Sequence, residues 1–220
     1  MKRASKNRLM PHHQERFPGD TLFDRMARAV CRAGTLPRKE LYEAWETAKR
    51  IRRRFRGGRI VDMACGHGLL AQILLTLDAS SPRALGVDRR IPANAPHLAE
   101  ILGKKWPRLN TQMEFIEGDI QDIELNEDDL VVSAHACGEL TDHIIARAVA
   151  ARARVAVIPC CHNTRSCDTG PLDPWMTPGL AIDAVRAINL QHQGYQVFTA
   201  QIPGDITPKN RLIMGDPHRK

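Results

Sequence analysis

Apolar positions fall in two textures along the chain. Over residues 20–56 they recur at helical spacing. Leu22, Met26, Ala29, Val30 and Ala33 form one stripe, opened by Thr21 and closed by Gly34; after Pro37, Leu41, Ala44, Trp45, Ala48, Ile51 and Phe55 form a second. Beyond Gly57-Gly58, short apolar runs alternate with helical stretches. The runs Ile60–Ala64, Ala84–Asp88, Glu114–Gly118, Leu130–Ala136, Val155–Pro159, Tyr195–Ile202 and Leu212–Met214 predict seven strands. Helices are predicted over Leu69–Leu77, Ala95–Trp106, Leu140–Ala151 and Gly179–Gln193. Strands alternating with helices imply an α/β fold, a mostly parallel sheet covered on both faces. The last two strands are joined by a short loop rich in Pro, Gly and Asp, with no room for a crossover helix, so they pair antiparallel. Residues 1–19, polar and carrying Pro11, Pro18 and Gly19, are expected to be a flexible arm. The expected organisation is a basic arm and helical extension over residues 1–57, followed by the sheet domain over residues 58–220.

Charge sharpens that division. Residues 1–59 hold 17 Lys and Arg against 6 Asp and Glu, a net of +11; residues 60–220 hold 15 against 19, a net of −4. Positive charge suits a helix C-terminus, but Lys49, Arg50, Arg52, Arg53, Arg54 and Arg56 exceed that need. A basic front on an acidic body points to a polyanion partner, RNA foremost. With 43% hydrophobic and 26% charged residues the chain has the composition of a folded protein. It has no run of about 18 apolar residues that would span a membrane. Its first 16 residues lack the apolar core of a secretory signal, so the expected location is the cytoplasm. Cys31, Cys65, Cys137, Cys160, Cys161 and Cys167 are then expected as reduced thiols, and they form no paired C-x-x-C zinc knuckles.

The segment Val61-Asp62-Met63-Ala64-Cys65-Gly66-His67-Gly68 joins the first strand of the sheet to its first helix. Glycines there let the backbone turn sharply and approach a ligand at a helix N-terminus. Asp88 ends the second strand 20 residues beyond Gly68, where a carboxylate can accept both hydroxyls of a ribose. Gly66 to Ala71 also reads as the G-x-G-x-x-A dinucleotide fingerprint, so the loop alone fits either NAD or S-adenosyl-L-methionine. Asp62 favours the second: a carboxylate ahead of the loop suits an ammonium group and repels a pyrophosphate. Glu117-Gly118-Asp119-Ile120 ends the third strand, where an Asp can take an adenine amino group.

With its closing antiparallel strand, the stretch from Ile60 to Met214 resembles a class I S-adenosylmethionine-dependent methyltransferase, which implies a seven-stranded Rossmann-like sheet. Asp62, Ala64, Gly66, Gly68, Asp88, Asp119 and Ile120 are then the expected cofactor residues. Two further segments narrow the resemblance. His135-Ala136-Cys137-Gly138 follows the fourth strand and Cys160-Cys161-His162 the fifth, with Cys167-Asp168 and Thr207-Pro208-Lys209-Asn210 beyond. They resemble the group containing eukaryotic tRNA 2′-O-methyltransferases of the acceptor stem. In place of the N-terminal zinc-binding Cys/His modules of those enzymes, this chain has basic helices. The resemblance implies methylation of a hydroxyl on RNA. The alternatives are a small-molecule or protein methyltransferase, and a non-catalytic RNA-binding protein on the same scaffold.

A hydroxyl is a poor nucleophile and gains from a general base, for which an imidazole with a pKa near 6.5 is suited. His135 and His162 both follow strand carboxyl ends, and either can be that base. His67 reads as a lining residue. Cys160, Cys161, His162 and Cys167 are alternative zinc ligands. Adjacent cysteines on a strand point to opposite faces, however, so close packing beside cofactor and substrate is the expectation, with no metal. Trp175 either stacks on a base or plugs the core.

Overall fold

Each strand of the sheet carries apolar residues toward both faces, and that requirement shapes the molecule. The computed structural model describes residues 2–134, 136–173 and 175–218. Along the chain run α1 (Leu22–Ala33), α2 (Arg38–Arg54), β1 (Ile60–Met63), α3 (Leu69–Leu77), β2 (Ala84–Asp88), α4 (Ala95–Lys105), the single turn α5 (Leu109–Gln112) and β3 (Met113–Glu117). Then come β4 (Leu130–Ser133), α6 (Glu139–Ala150), β5 (Arg154–Val157), α7 (Pro178–His192), β6 (Tyr195–Gln201) and β7 (Arg211–Pro217). The seven strands lie in the order β3-β2-β1-β4-β5-β7-β6. The first five are parallel, and β7 runs antiparallel to both β5 and β6. This is the α/β architecture expected, with a closing antiparallel pair longer than the sequence pattern indicated.

Alternation along the strands sorts the core into two layers. Ile60, Leu130, Val132 and Ala156 face a layer shared with Met26, Val30, Trp45, Ile51, Leu70 and Leu74 of α1, α2 and α3. Val61, Met63, Val131, Val155 and Val157 face the other, with Ile144 and Ala148 of α6 and Leu190 of α7. Asp62 shares the face of Ile60, so the carboxylate at the end of β1 is directed under α3.

The expected arm is built into the fold over residues 8–17. Leu9 and Phe17 are buried, the Leu9 N–H donates to the Leu36 carbonyl at 2.9 Å, and the Arg38 N–H donates to the Asn7 carbonyl at 3.0 Å. Two isolated apolar residues among polar ones carry no periodic signal, which is why the pattern missed them. β4 and β5 also end before Ala136 and Pro159. The last rung beyond them is Ile158 N–H to the Ser133 carbonyl at 2.9 Å, and Pro159 has no N–H with which to continue.

Part of the arginine cluster is structural. Arg52 is 3% exposed; it donates to the Leu74 carbonyl at 3.2 and 3.1 Å and to Ser81 Oγ at 2.8 Å, and its Nη1 lies 3.2 Å from Asp78. Lys49 and Arg50 both pair with Glu46. Replacing Arg52→Met removes the buried counter-charge of Asp78, and urea unfolding followed by circular dichroism should show a loss of about 3 kcal/mol. A change below about 0.5 kcal/mol, the scale of surface substitutions, would refute the buried-pair account.

Candidate active site

The strand order reverses between β1 and β4, with β2 and β3 to one side and β5 to the other, and a crevice opens at the carboxyl ends of strands at such a point. Here the crevice is a cavity of about 340 Å³, lined by Asp62, Ala64, Cys65, Gly66, His67 and Asp88 from β1, its loop and β2. Leu69 and Leu70 of α3, Ala134 beyond β4, and Leu36, Glu40 and Ala44 from the N-terminal helices complete the lining.

Backbone geometry forms the loop. Ala64 has φ +58°, Gly66 +52° and Gly68 +67°, so three residues in five occupy the left-handed region that favours glycine. The Cys65 N–H donates to the Val87 carbonyl at 3.0 Å and the Gly66 N–H to Asp88 Oδ2 at 2.9 Å. The two glycines differ in purpose. A Cβ on Gly66 would meet nothing within 4 Å, because its backbone fronts open space; a Cβ on Gly68 would lie 2.6 Å from the Phe115 ring. Gly66 therefore permits a ligand's approach, whereas Gly68 permits packing and opens α3.

The electrostatics are acidic. Asp62 is 2% exposed, and its described hydrogen bond is the Ala71 N–H donated to Oδ2 at 3.3 Å. Burial pushes its carboxyl up to about 8; the Ala71 N–H pulls against this and the charge of Asp88 adds to it. Asp88 accepts from Gly66 and, at 3.3 Å, from the Arg90 N–H, which leaves lone pairs on both oxygens. Among the described residues lining the cavity none is Lys or Arg. A pyrophosphate would face the carboxylates of Glu40 and Asp88 and the buried carboxyl of Asp62 there. A ligand with a cationic end and a ribose fits: an ammonium or sulfonium could meet Asp62 and hydroxyls could meet Asp88. The donor set thus suits S-adenosyl-L-methionine and disfavours NAD.

The cavity brings together Asp62, Ala64, Gly66 and Asp88 of the expected cofactor residues. Gly68, Asp119 and Ile120 are not in its lining. Asp119 caps the short turn Ile120–Asp122 through the Gln121 N–H at 3.0 Å and pairs with Arg89 at 2.9 Å; Ile120 is buried in the core on the opposite face. His67 lines the cavity, as expected, with Nε2 held 2.8 Å from Asn94 Oδ1. Trp175 is 83% exposed, so it is no core plug. His135 lies outside the described residues.

His162 stands beyond β5, outside the cavity lining but at the same edge of the sheet. Its Nε2 is 2.8 Å from Asp183 Oδ1. An ionised carboxylate only accepts, so Nε2 carries the hydrogen and Nδ1 remains the acceptor, with no donor to it among the described residues. Asp183 is 5% exposed and is held by Arg211 at 2.6 Å and Arg186 at 3.4 Å. Arg186 in turn bonds both oxygens of Asp142 at 2.7 Å. Asp183, Arg186 and Arg211 were not foreseen. The available signal was two charges, Asp183 and Arg186, inside an otherwise apolar helical stripe.

The cysteine alternation argument fails, because β5 stops at Val157 and Cys160 and Cys161 lie past it. Their sulfurs are 3.8 Å apart, and Cys137 Sγ is 2.8 Å from Cys160 Sγ.

α2 also reaches the site from an unforeseen direction. Glu40, in its first turn, lines the cavity, and at 1.5 Å per residue Arg54 lies about 20 Å away, beside the amino ends of β1 and β2. The cluster Lys49–Arg56 is therefore on the edge opposite the cavity. The basic residues nearer the cavity include Arg89 and Arg90 beside Asp88, Lys39 beside Glu40, and those before α1. The Lys39 N–H donates to the Ser5 carbonyl at 3.0 Å, and Arg3 pairs with Asp205 in the loop between β6 and β7.

Asp62 makes the empty fold pH-sensitive. A carboxyl raised above its unfolded value near 4 contributes stability that is complete below that value and is lost as pH rises through about 8. Wild-type protein should lose melting temperature between pH 5 and pH 9 relative to Asp62→Asn, measured without ligand by calorimetry. Parallel curves would mean that Asp62 ionises normally.

Comparison with known proteins agrees with the geometry. A family model described as "Methyltransferase domain" matches residues 39–167. No curated protein matches the chain. Among solved structures, the S-adenosylmethionine-dependent methyltransferase SibL in its apo form is 20% identical with a TM-score of 0.54, over 96% of this chain and 66% of that one. The ribosomal protein L11 methylase from Lactobacillus delbrueckii subsp. bulgaricus is 14% identical with a TM-score of 0.51, over 80% and 77%. The magnesium protoporphyrin IX methyltransferase ChlM from Synechocystis PCC 6803, with bound SAH, is 14% identical with a TM-score of 0.50, over 94% and 93%. At these identities the likenesses establish the fold.

Proposed function

The chain belongs to the methyltransferase-domain family, and from that premise we propose that it methylates a hydroxyl group on RNA, with a tRNA-like molecule as substrate. The cofactor is S-adenosyl-L-methionine, which supplies a methyl group already activated on a sulfonium. Asp62 would face its ammonium, Asp88 its ribose hydroxyls, and Gly66 would let the backbone close on it. Gly68 holds the loop, and Asp119 and Ile120 mark the end of β3, toward which the base would extend.

Because the methyl group is activated, the protein's work is to align the acceptor within about 3–3.5 Å of it and to take the acceptor's proton. The observation that carries the hydroxyl reading is the His162–Asp183 pair. Asp183 holds Nε2–H, which leaves Nδ1, beside Gly179 at the start of α7, as the acceptor; the Asp183 carboxylate would stabilise the imidazolium formed if Nδ1 takes the proton. Arg186 and Arg211 hold the Asp183 carboxylate in place. His135, two residues past the end of β4 in the sequence, is the second candidate for that role. RNA is favoured by the exposed Trp175, a stacking surface in the loop between β5 and α7, and by exposed Lys2, Lys6 and Arg8 on the segment that meets the start of α2.

Incubation of the protein with labelled cofactor and total RNA, followed by nuclease digestion, should yield a 2′-O-methylated nucleoside. His162→Gln should lower that rate by about 10²- to 10⁴-fold while the demethylated cofactor still binds in calorimetry. Label recovered only in small molecules or protein would overturn the RNA reading, and an undiminished rate would remove His162 from the chemistry.

The charge argument makes a separate prediction. Replacing Lys2, Lys6 and Arg8 together by Gln should reduce the slope of log affinity against log salt by about 2 on single-stranded RNA. Replacing Arg53 and Arg56 at the far end of α2 should leave it unchanged. The reverse pattern would move the RNA footprint to the opposite edge of the sheet.

A further inference from the structure

We infer that Cys137, Cys160 and Cys161 form a zinc-binding site, open at one coordination position, between the loops that follow β4 and β5. The three sulfurs all lie within 4.8 Å of one another. Tetrahedral zinc with Zn–S bonds of about 2.3 Å spaces its sulfurs about 3.8 Å apart. Cys160 and Cys161 already stand 3.8 Å apart. Cys137 is 2.8 Å from Cys160 and exposed, so rotation about its Cα–Cβ bond, giving up that contact, would bring it outward to the same spacing.

The convergence is built by the backbone. Cys137 and Cys161 pair as a parallel bridge beyond the strand ends, and the Gly138 N–H donates to the Cys161 carbonyl at 3.0 Å. Arg186 reinforces the same junction by donating to the Gly138 carbonyl at 3.0 Å. Two loops are thus locked in the register that delivers one thiolate from the first and two from the second. Packing alone does not call for this, since Cys137 is exposed and Cys160 and Cys161 are only half-buried. Soft thiolates select zinc over the hard cations, and the partial exposure gives an ion its way in. Among the described residues three protein ligands converge, which leaves the fourth position to water or to a substrate atom, the pattern of a reactive zinc and not of a closed structural one. The inference stands independently of the RNA reading.

The test uses the full chain, reduced with a phosphine and freed of metal, titrated with cobalt(II) and then zinc(II). A sulfur-to-cobalt charge-transfer absorption should saturate at one cobalt per chain and vanish as zinc displaces it. Cys137→Ser and Cys160→Ser should each lose the absorption, whereas Cys31→Ala, in the core of α1, should keep it; circular dichroism checks that all three fold. In the wild-type chain, where no variant is needed, zinc should protect Cys137 from alkylation as mapped by mass spectrometry. Absence of the absorption, its survival in Cys137→Ser and Cys160→Ser, or an unchanged alkylation rate for Cys137 would each overturn the proposal. RNA methylation is not a readout here, so failure of this site and failure of the proposed activity are separately visible.

Discussion

A carboxylate held out of water at the end of β1 is the constraint around which the rest is arranged. Asp62 sits under α3 with a backbone N–H as its described partner and no basic side chain in the cavity wall. Such a group is costly unless something positive comes to it. The fold accepts that cost at a point where it gains a ligand site, since the neighbouring loop spends its own N–H groups on fixing Asp88 and on closing the turn into α3. The cavity is therefore selective by sign before it is selective by shape. A ligand with a cationic end would gain from Asp62, whereas a pyrophosphate would meet acidic groups and no Lys or Arg among the described lining residues.

A second organising feature is the way the N-terminal helices are used. α1 and α2 share one apolar layer with α3 and the sheet, and Leu36, Glu40 and Ala44 help to enclose the cavity. Their basic charge has been divided between two tasks. Toward the end of α2 part of it is drawn inward, where Arg52 closes the gap around Asp78 and Arg50 braces Glu46, while Arg53, Arg54 and Arg56 stay exposed. Ahead of α1 it remains on the surface, near the cavity's rim. A positive front read as one patch in the sequence is two patches in space, at opposite edges of the sheet.

The sheet edge beyond β5 shows a similar economy of parts. One arginine, Arg186, ties α6 to α7 and both to the loop after β4, by way of Asp142, Asp183 and the Gly138 carbonyl. That brace orients the imidazole of His162 and steadies the junction where three thiols meet. Histidine and cysteines are neighbours in the chain, but it is the remote arginine that gives them fixed positions.

The alternation of apolar strands and helices, the glycine turn after β1 and the acidic end of β2 were all legible in the residue order. Each rests on local rules: strand period, the left-handed preference of glycine, and the position of a residue relative to the end of its own element. For the same reason Asp62, Ala64, Gly66 and Asp88 could be named and are found lining one cavity. Leu9 and Phe17, the roofing role of Glu40, the partners of His162 and the meeting of Cys137 with Cys160 were decided only by the tertiary structure. These depend on contacts between residues distant in sequence, and no local pattern encodes which distant side chain will fill a given space. The sequence by itself determined what the first strands and their loops must offer a ligand; packing determined which charges are spent inside the fold and which stay on the surface.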